Sequence, residues 1–369
     1  MSESASDPLR RSIEVEYWVV EEDGSFTDPG GLVDASPGAE REFVEPVLEV
    51  KTTPCGSAAE LRQELYERLG DVLARAEEVG KRLVPLATPV SDETVTELES
   101  DRTRIQNRVV GSDFQYARHC VGTHVHVEQR PGREIDQYNA LVALDPALAL
   151  VNSSPYYDGK RLAAGARSKL YRRMTYDDVP HQGRLWRYAD DTREWSRRLE
   201  RRFEEFLVRA EEEGVDRATI EANFDPESAI WTPVQLRAEF GTVEWRSPDC
   251  SLPSDALRLA NSVADVVHRL DDATLRIEGE TGRVTDDRVV LPEFDAVLRY
   301  VNAAIEDGLD SETVRSYLDR MGFDVGAYSP VSHEIDGRET VTAAEARELR
   351  LTHADRLERD VRNAVRQRE

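Results

Sequence analysis

The chain has 369 residues, with 48 Lys+Arg against 73 Asp+Glu and a formal net charge of −25. A body this acidic repels phosphate backbones and anionic lipid unless a large basic patch reverses the field, and no such run occurs. Mean hydropathy is −0.58 and no apolar stretch reaches the roughly 18 residues of a membrane span, so neither nucleic acid nor membrane is expected as a partner.

Only four residues are lysine (Lys51, Lys81, Lys160, Lys169), leaving 44 arginines. Acid excess with little lysine is the composition of a surface adapted to molar salt, where carboxylates stay hydrated and their repulsion is screened within a few ångströms. A GC-rich genome would explain the arginines but not the net charge. Cys55, Cys120 and Cys250 are widely spaced with no CxxC, so neither a zinc ribbon nor a disulfide framework is expected. The thiols read as reduced and the protein as cytoplasmic. The opening MSESASDPLRRS lacks the apolar core of a secretory signal and reads as a flexible polar tail over residues 1–11.

In chain order, SIEVEYWVV (Ser12 to Val20) is β-branched and aromatic and reads as a strand, closed by the turn EEDGS. EFVEPVLEVKTT (Glu42 to Thr53) reads as extended, with Pro46 marking an edge or bend. Ser57 to Gly80 carries leucines and valines at helical spacing behind a Ser57 cap with Glu60 three residues on. Leu83 to Ala87 and Gly122 to Val127 (GTHVHV) read as short strands. Ile135 to Val151 reads as an apolar helix and Asp191 to Gly214 as a charged one. Arg237 to Arg246 (RAEFGTVEWR) reads as a strand region, Ser254 to Leu270 as a helix capped by Ser251 or Ser254, and Pro292 to Glu369 as two or three amphipathic helices. Strands and helices alternate without a βαβ rhythm, so the expected fold is α+β, with helices packed on one face of an antiparallel sheet.

Three of these strands share an anomaly. Glu14-Val15-Glu16, His124-Val125-His126 and Glu244-Trp245-Arg246 each put two ionisable groups at i and i+2, hence on one face, with apolar neighbours on the other. Glu49 is a further acid in an apolar strand. Glu42, seven residues earlier, falls on the opposite face unless Pro46 introduces a bulge. Any one Glu-x-Glu is more often a solvated face than a site, and His-x-His alone is weak. Together they describe carboxylates gathered on one surface, which need a cation or open water. Oxygen-rich ligation with one imidazole suits Mg²⁺ or Mn²⁺, and an open acidic sheet holding such ions would suit a polyphosphate. Gly-x-x-x-x-Gly-Lys-Ser/Thr, Gly-x-Gly-x-x-Gly and Gly-x-Ser-x-Gly are all missing.

These residues resemble the carboxylate–amine ligase family of the type-2 glutamate–cysteine ligases, in the glutamine-synthetase-like superfamily. Five segments stand in the family's order: SIEVEYWVV, EFVEPVLEVKTTPC, VGTHVHV, NSSPYYDGKRLAAGARSKLYRR and TVEWRSPD. The chain departs from the commoner Val-Glu-Glu-Glu by having Val15 in the middle, which strand parity turns away from the site. The composition points to a haloarchaeal member. The resemblance implies a glutamine-synthetase-like catalytic domain over residues 12–369, a ligase core over 12–280 followed by a helical portion over 281–369. It implies metal ligation by Glu14, Glu16, Glu42, Glu49, His124 and Glu244. Arg246 would contact phosphate, and His126 nucleotide or substrate. The basic cluster Arg161, Arg167, Arg172 and Arg173 would bind ATP or substrate carboxylate, or else simply pair with nearby acids. The implied reaction is ATP- and Mg²⁺-dependent joining of the glutamate γ-carboxylate to the cysteine amine. The alternatives are another amine acceptor, a guanidino-kinase-like phosphotransferase, a metallohydrolase built on His124 and His126, or a metal-binding protein without turnover.

Overall fold

A computed structural model describes residues 8–366. Its main sheet is antiparallel throughout and takes seven strands: β1 (Arg11–Glu21), β2 (Ala39–Arg41), β3 (Val47–Lys51), β4 (Lys81–Val84), β5 (Thr123–Glu128), β8 (Val234–Arg237) and β9 (Thr242–Trp245). Between β5 and β8 a two-stranded ribbon forms from β6 (Tyr156–Tyr157) and β7 (Lys160–Arg161). The sheet runs β2-β3-β1-β5-β9-β8, with β4 also on β1.

The register explains how one face became apolar and the other ionisable. Val15 pairs with Val50, Tyr17 with Leu48, Ile13 with Val125, and Val125 with Trp245, and each of these side chains is fully buried. Their neighbours at odd offset, Glu14, Glu16, Glu49, His124, His126 and Glu244, therefore all project from the other side.

Thirteen helices accompany the sheet among the described residues: α1 (Ala58–Glu78), α2 (Asp101–Val110), α3 (Gln115–Arg118), α4 (Glu134–Leu144), α5 (Ala166–Arg173), α6 (Thr192–Glu212), α7 (Arg217–Asn223), α8 (Pro226–Ala229), α9 (Pro253–Arg269), α10 (Phe294–Glu306), α11 (Glu312–Arg320), α12 (Val331–Ile335) and α13 (Ala343–Arg366). α1, α4, α9 and α13 pack on the sheet or its edges. α1 starts where its cap predicts, the Ser57 hydroxyl accepting from the Glu60 amide. One hydrophobic core extends from Leu9 to Ala364. A second, small core of Val110, Phe114, Tyr176 and Val179 stands apart from it.

Several expectations need correction. Of the tail over 1–11, residues 1–7 lie outside the described residues, and the rest is anchored: Leu9 is buried and Arg11 opens β1. The Ile135 to Val151 helix stops at Leu144 and continues as a 3-10 turn over Asp145–Val151, because Pro146 has no amide proton to donate. Arg237 to Arg246 is a hairpin, turning at Gly241 with φ +60°, where a side chain would be strained. α9 is preceded by Leu252 with Pro253 in its first turn, and neither Ser251 nor Ser254 caps it. A three-stranded sheet of β10 (Thr274–Ile277), β11 (Arg283–Val284) and β12 (Arg288–Leu291) straddles the boundary expected at 280/281.

Candidate active site

Cross-strand pairing assembles the ionisable face. Glu16 lies opposite Glu49, Glu14 opposite His124, and His126 opposite Glu244. The three strand pairs β1–β3, β1–β5 and β5–β9 thus contribute one ligand pair each. Glu42 joins them from the loop between β2 and β3. The chain is not extended from Arg41 to Val47, so the parity that set Glu42 on the far face does not run through.

Three groups offer donor atoms all within 4.8 Å of one another: Glu14, Glu49 and His124; Glu14, His126 and Glu244; and Glu16, Glu42 and Glu49. His126, read from sequence as a nucleotide or substrate contact, therefore stands equally with the ligands. Its Nε2 is buried without a hydrogen-bond partner, 3.6 Å from Glu14 and 3.8 Å from Glu244. Those separations are too long for hydrogen bonds. They suit donors sharing one cation, since ligands about 2.1 Å from an octahedral centre stand roughly 3–4 Å apart. The donor set, carboxylates with an imidazole, fits a hard divalent cation.

The electrostatics divide the carboxylates of this face into two sets. Burial and then the Glu16 charge push the Glu42 carboxyl up to about 8, and burial with Glu42, Glu14 and Glu16 drives Glu49 well above the carboxylate range. Glu14 and Glu244 go the other way. Burial raises both, but His124 and His126 outweigh it at Glu14, which is held well down. The Arg246 charge leads at Glu244, followed by His126, His124 and Arg237, and lowers it to about 2.

A cavity of about 240 Å³ opens over this face. Its other walls come from the same strands and from segments remote in sequence. Lys51 lies 2.8 Å from Glu49 and 3.1 Å from Glu40. Arg237 bonds Glu244 at 3.0 Å, and Arg246 holds the other oxygen of the same carboxylate. Arg118, Tyr171 and Trp231 also line it, and Phe114, Tyr171 and Trp231 bind this roof to the small second core. Cys120 reaches the cavity too, but burial pushes its thiol far up, against a reactive thiolate.

The basic cluster divides. Arg167 borders the cavity and donates to the carbonyls of Ser247 (3.1 Å) and Arg246 (3.2 Å). Arg172 is spent on the fully buried Asp145 at 2.6 and 3.1 Å, and on Ser247 Oγ at 2.7 Å. The Trp245 indole donates to the same Asp145 at 2.9 Å. Arg161 pairs with Asp336, and Arg173 with Glu306 and Asn302, outside the cavity. Three of the four arginines therefore do what the simpler alternative expected, pairing with acids. Of the arginines expected at the site, Arg167 and Arg246 line the cavity. Lys51, Arg118, Tyr171, Trp231, Arg237 and Phe240 were missed; Lys51, two residues past Glu49, shares its face by strand parity and was legible, whereas Arg118 and Trp231 converge through tertiary packing, which no periodicity or short motif marks.

Two solved structures share the fold of an antiparallel sheet with helices behind it. A glutamate–cysteine ligase from Francisella tularensis, in complex with AMP, is 12% identical, with 98% of this chain and 94% of that chain covered and a TM-score of 0.59. A bifunctional glutathione synthetase from Pasteurella multocida is 16% identical, with 96% of this chain and 52% of that chain covered and a TM-score of 0.57. A protein of Paenarthrobacter aurescens provisionally named glutamate–cysteine ligase 2-1 is 30% identical over 153 residues, which are 40% of this chain and 39% of that protein. The match thus spans less than half of that relative. The profile of glutamate–cysteine ligase family 2 matches residues 13–368. The chain belongs to that family.

Proposed function

We propose that the protein is an ATP-dependent carboxylate–amine ligase that joins the glutamate γ-carboxylate to the amine of cysteine. The observation that carries this reading is the set of three overlapping donor groups on one sheet face, ringed by Arg167, Arg237 and Arg246. Glu14, Glu16, Glu42, Glu49, His124, His126 and Glu244 would hold Mg²⁺ or Mn²⁺. When bound, the ions supply charge neutralisation that lets a polyphosphate approach a carboxylate surface.

The reaction has two displacements. An oxygen of the γ-carboxylate attacks the γ-phosphorus of ATP, the bridging P–O bond to the β-phosphate breaks, and ADP leaves. The amine nitrogen then attacks the acyl carbon of the γ-glutamyl phosphate. A C–N bond forms, the C–O bond to phosphate breaks, and the amine gives up a proton. Arg246, fixed by Glu244, and Arg167, fixed by two carbonyls, supply positive charge at set positions for the phosphoryl and acyl-phosphate oxygens. Their work is positioning and charge stabilisation.

A screen of amino acids as acceptors, with glutamate, ATP and Mg²⁺ in molar KCl and scored by phosphate release, tests the substrate. Cysteine is expected to give the strongest signal. A different amine leading the screen would keep the ligase and remove the acceptor, and a phosphorylated amine without free phosphate would indicate a phosphotransferase.

A further inference from the structure

Residues 178–182, in the loop between α5 and α6, face a stripe of α6 made by Arg202, Glu205, Phe206 and Arg209, spaced i, i+3, i+4 and i+7. Between them lies a pocket of about 80 Å³ that shares no lining residue with the acidic cavity. It has room for a group the size of phosphate or a short carboxylate and none for a nucleotide. The loop is fixed on both sides. The Gln182 amide donates to the carbonyl of Val179, a member of the small second core, at 2.9 Å, and the Trp186 indole donates to the His181 carbonyl at 2.8 Å.

The polar groups of the pocket do not balance. Glu205 accepts from Arg202 Nη1 through both oxygens, at 2.6 and 2.8 Å, and the carboxylates of Glu205 and Asp178 are exposed. The deeper groups are donors. Gln182 is 4% exposed, and its Nε2 has no hydrogen-bond partner among the described residues. Arg209 reaches Glu213 at 2.9 Å and Glu212 at 3.5 Å through its terminal nitrogens, Asp178 lies beyond a hydrogen bond at 3.6 Å, and Nε is buried without a partner. Buried N–H groups of this kind are destabilising unless something accepts from them. No oxygen of Asp178 or Glu205 is buried without a partner. A matching ligand brings acceptors and negative charge, which describes a small oxyanion beside two arginines.

The same loop grips the roof of the acidic cavity. Gln182 Oε1 accepts from the Trp231 amide at 3.4 Å, and the Gly183 amide donates to the Trp231 carbonyl at 2.8 Å. Trp231 lines the cavity, packs against Phe43 and Phe114, and has the Arg246 guanidinium 5.9 Å from its ring centroid. We propose that the pocket is a second, non-catalytic site for a small oxyanion, held by Gln182 Nε2, Arg209 and Arg202, and that its occupancy shifts Trp231. An anion bound to Nε2 fixes the side-chain amide whose oxygen holds the Trp231 backbone, so the coupling passes through a single residue. Neither the site nor its ligand depends on the ligase reading, because the pocket lies outside the acidic face.

Calorimetric titration of the full-length protein with inorganic phosphate and with acetate tests the site, without Mg²⁺ or nucleotide. KCl is held at 1 M so that chloride competes equally in every arm, and tryptophan fluorescence is followed in parallel. The wild type is expected to bind at least one of the two anions with a change in fluorescence, the tighter one showing whether phosphate or carboxylate is the natural class. Gln182→Glu, which puts an acceptor where a donor stood, and Arg209→Met should each weaken binding about tenfold or more, the usual loss when a hydrogen bond to a charged partner is removed. Circular dichroism should show both variants folded, and should one not fold, the other carries the comparison. Arg246→Gln, in the acidic cavity, should leave binding within twofold. Binding of neither anion, wild-type affinity in either folded pocket variant, or a loss in Arg246→Gln as large as in theirs overturns the site. A fluorescence change that persists in full in Trp231→Phe overturns the link to the roof.

Discussion

A Cβ at position 122 would lie 2.2 Å from Nη2 of Arg167, well inside contact distance. The absence of a side chain there lets the guanidinium rest on the backbone while the Gly122 amide donates to Glu16 at 2.6 Å. Gly122→Ala is expected to push Arg167 off the carbonyls of Arg246 and Ser247 and to lower kcat at least tenfold, measured with saturating substrates beside a thermal melt showing a folded protein. Glu49→Gln keeps the shape of a ligand and removes its charge. It should leave the circular dichroism spectrum unchanged and cut turnover by about 10²–10³; near-normal turnover would remove Glu49 from the metal site. Glu14, Glu16, Glu49, His124, His126 and Glu244 were legible in the sequence because a strand's two-residue period is a strict geometric rule. Arg118 and Trp231 were not, since each arrives from a separate segment under no local rule.

Among the elements, α5 divides between the site and its support, with Arg167 bordering the cavity and Arg172 turned away from it. Its Arg172, with Asp145 from the end of α4, fixes Trp245 and Ser247, the residues on either side of Arg246. The motif builds the floor behind the site. Burying such a pair adds little stability, but breaking it leaves a charge stranded in the interior. α13 carries a second buried titratable group. His353 is 2% exposed, and burial, then the Arg356 charge, lowers its pKa from 6.5 to about 4 against the opposing charge of Glu334. The unfolded chain therefore binds a proton between those values that the folded chain refuses. The stability His353 contributes is fully present above pH 6.5 and falls away toward pH 4, by about 3 kcal/mol. Urea unfolding at pH 7 and pH 4.5 should show a smaller pH-dependent loss for His353→Gln than for the wild type; parallel losses would contradict the assignment. The cap of α1 was legible from Ser57 and Glu60, whereas the β8–β9 turn had the single Gly241 as its signal inside an otherwise β-rich run.

At the scale of the molecule, the net charge of −25 separates into two populations. The acids of the sheet face are buried or half-buried beneath arginines, and many of the remainder lie on the surface, a number of them in ion pairs that add little individually. Self-repulsion of the surface set should be relieved as the screening length falls from about 10 Å at 0.1 M salt to about 3 Å at 1 M. The melting temperature is therefore expected to rise by several degrees or more between 0.1 M and 2 M KCl, and a flat or falling value would contradict adaptation to high salt. Among the described residues no helix is long and apolar enough to cross a membrane, in line with the composition. The apolar patterning foretold the α+β architecture and its acidic face. It did not foretell the small second core or the three-stranded sheet over residues 274–291, whose strands are too short to show a period.

The central claim, that the acidic face performs an ATP-driven ligation, is tested most directly by measuring free phosphate and a new γ-glutamyl amide in one reaction. Wild-type protein and Glu244→Gln would be incubated with glutamate, cysteine, ATP and Mg²⁺ in molar KCl. The account predicts phosphate and amide in equal amounts from the wild type and neither above background from Glu244→Gln. Phosphate without amide, a phosphorylated amine in its place, or undiminished product from the variant would contradict it.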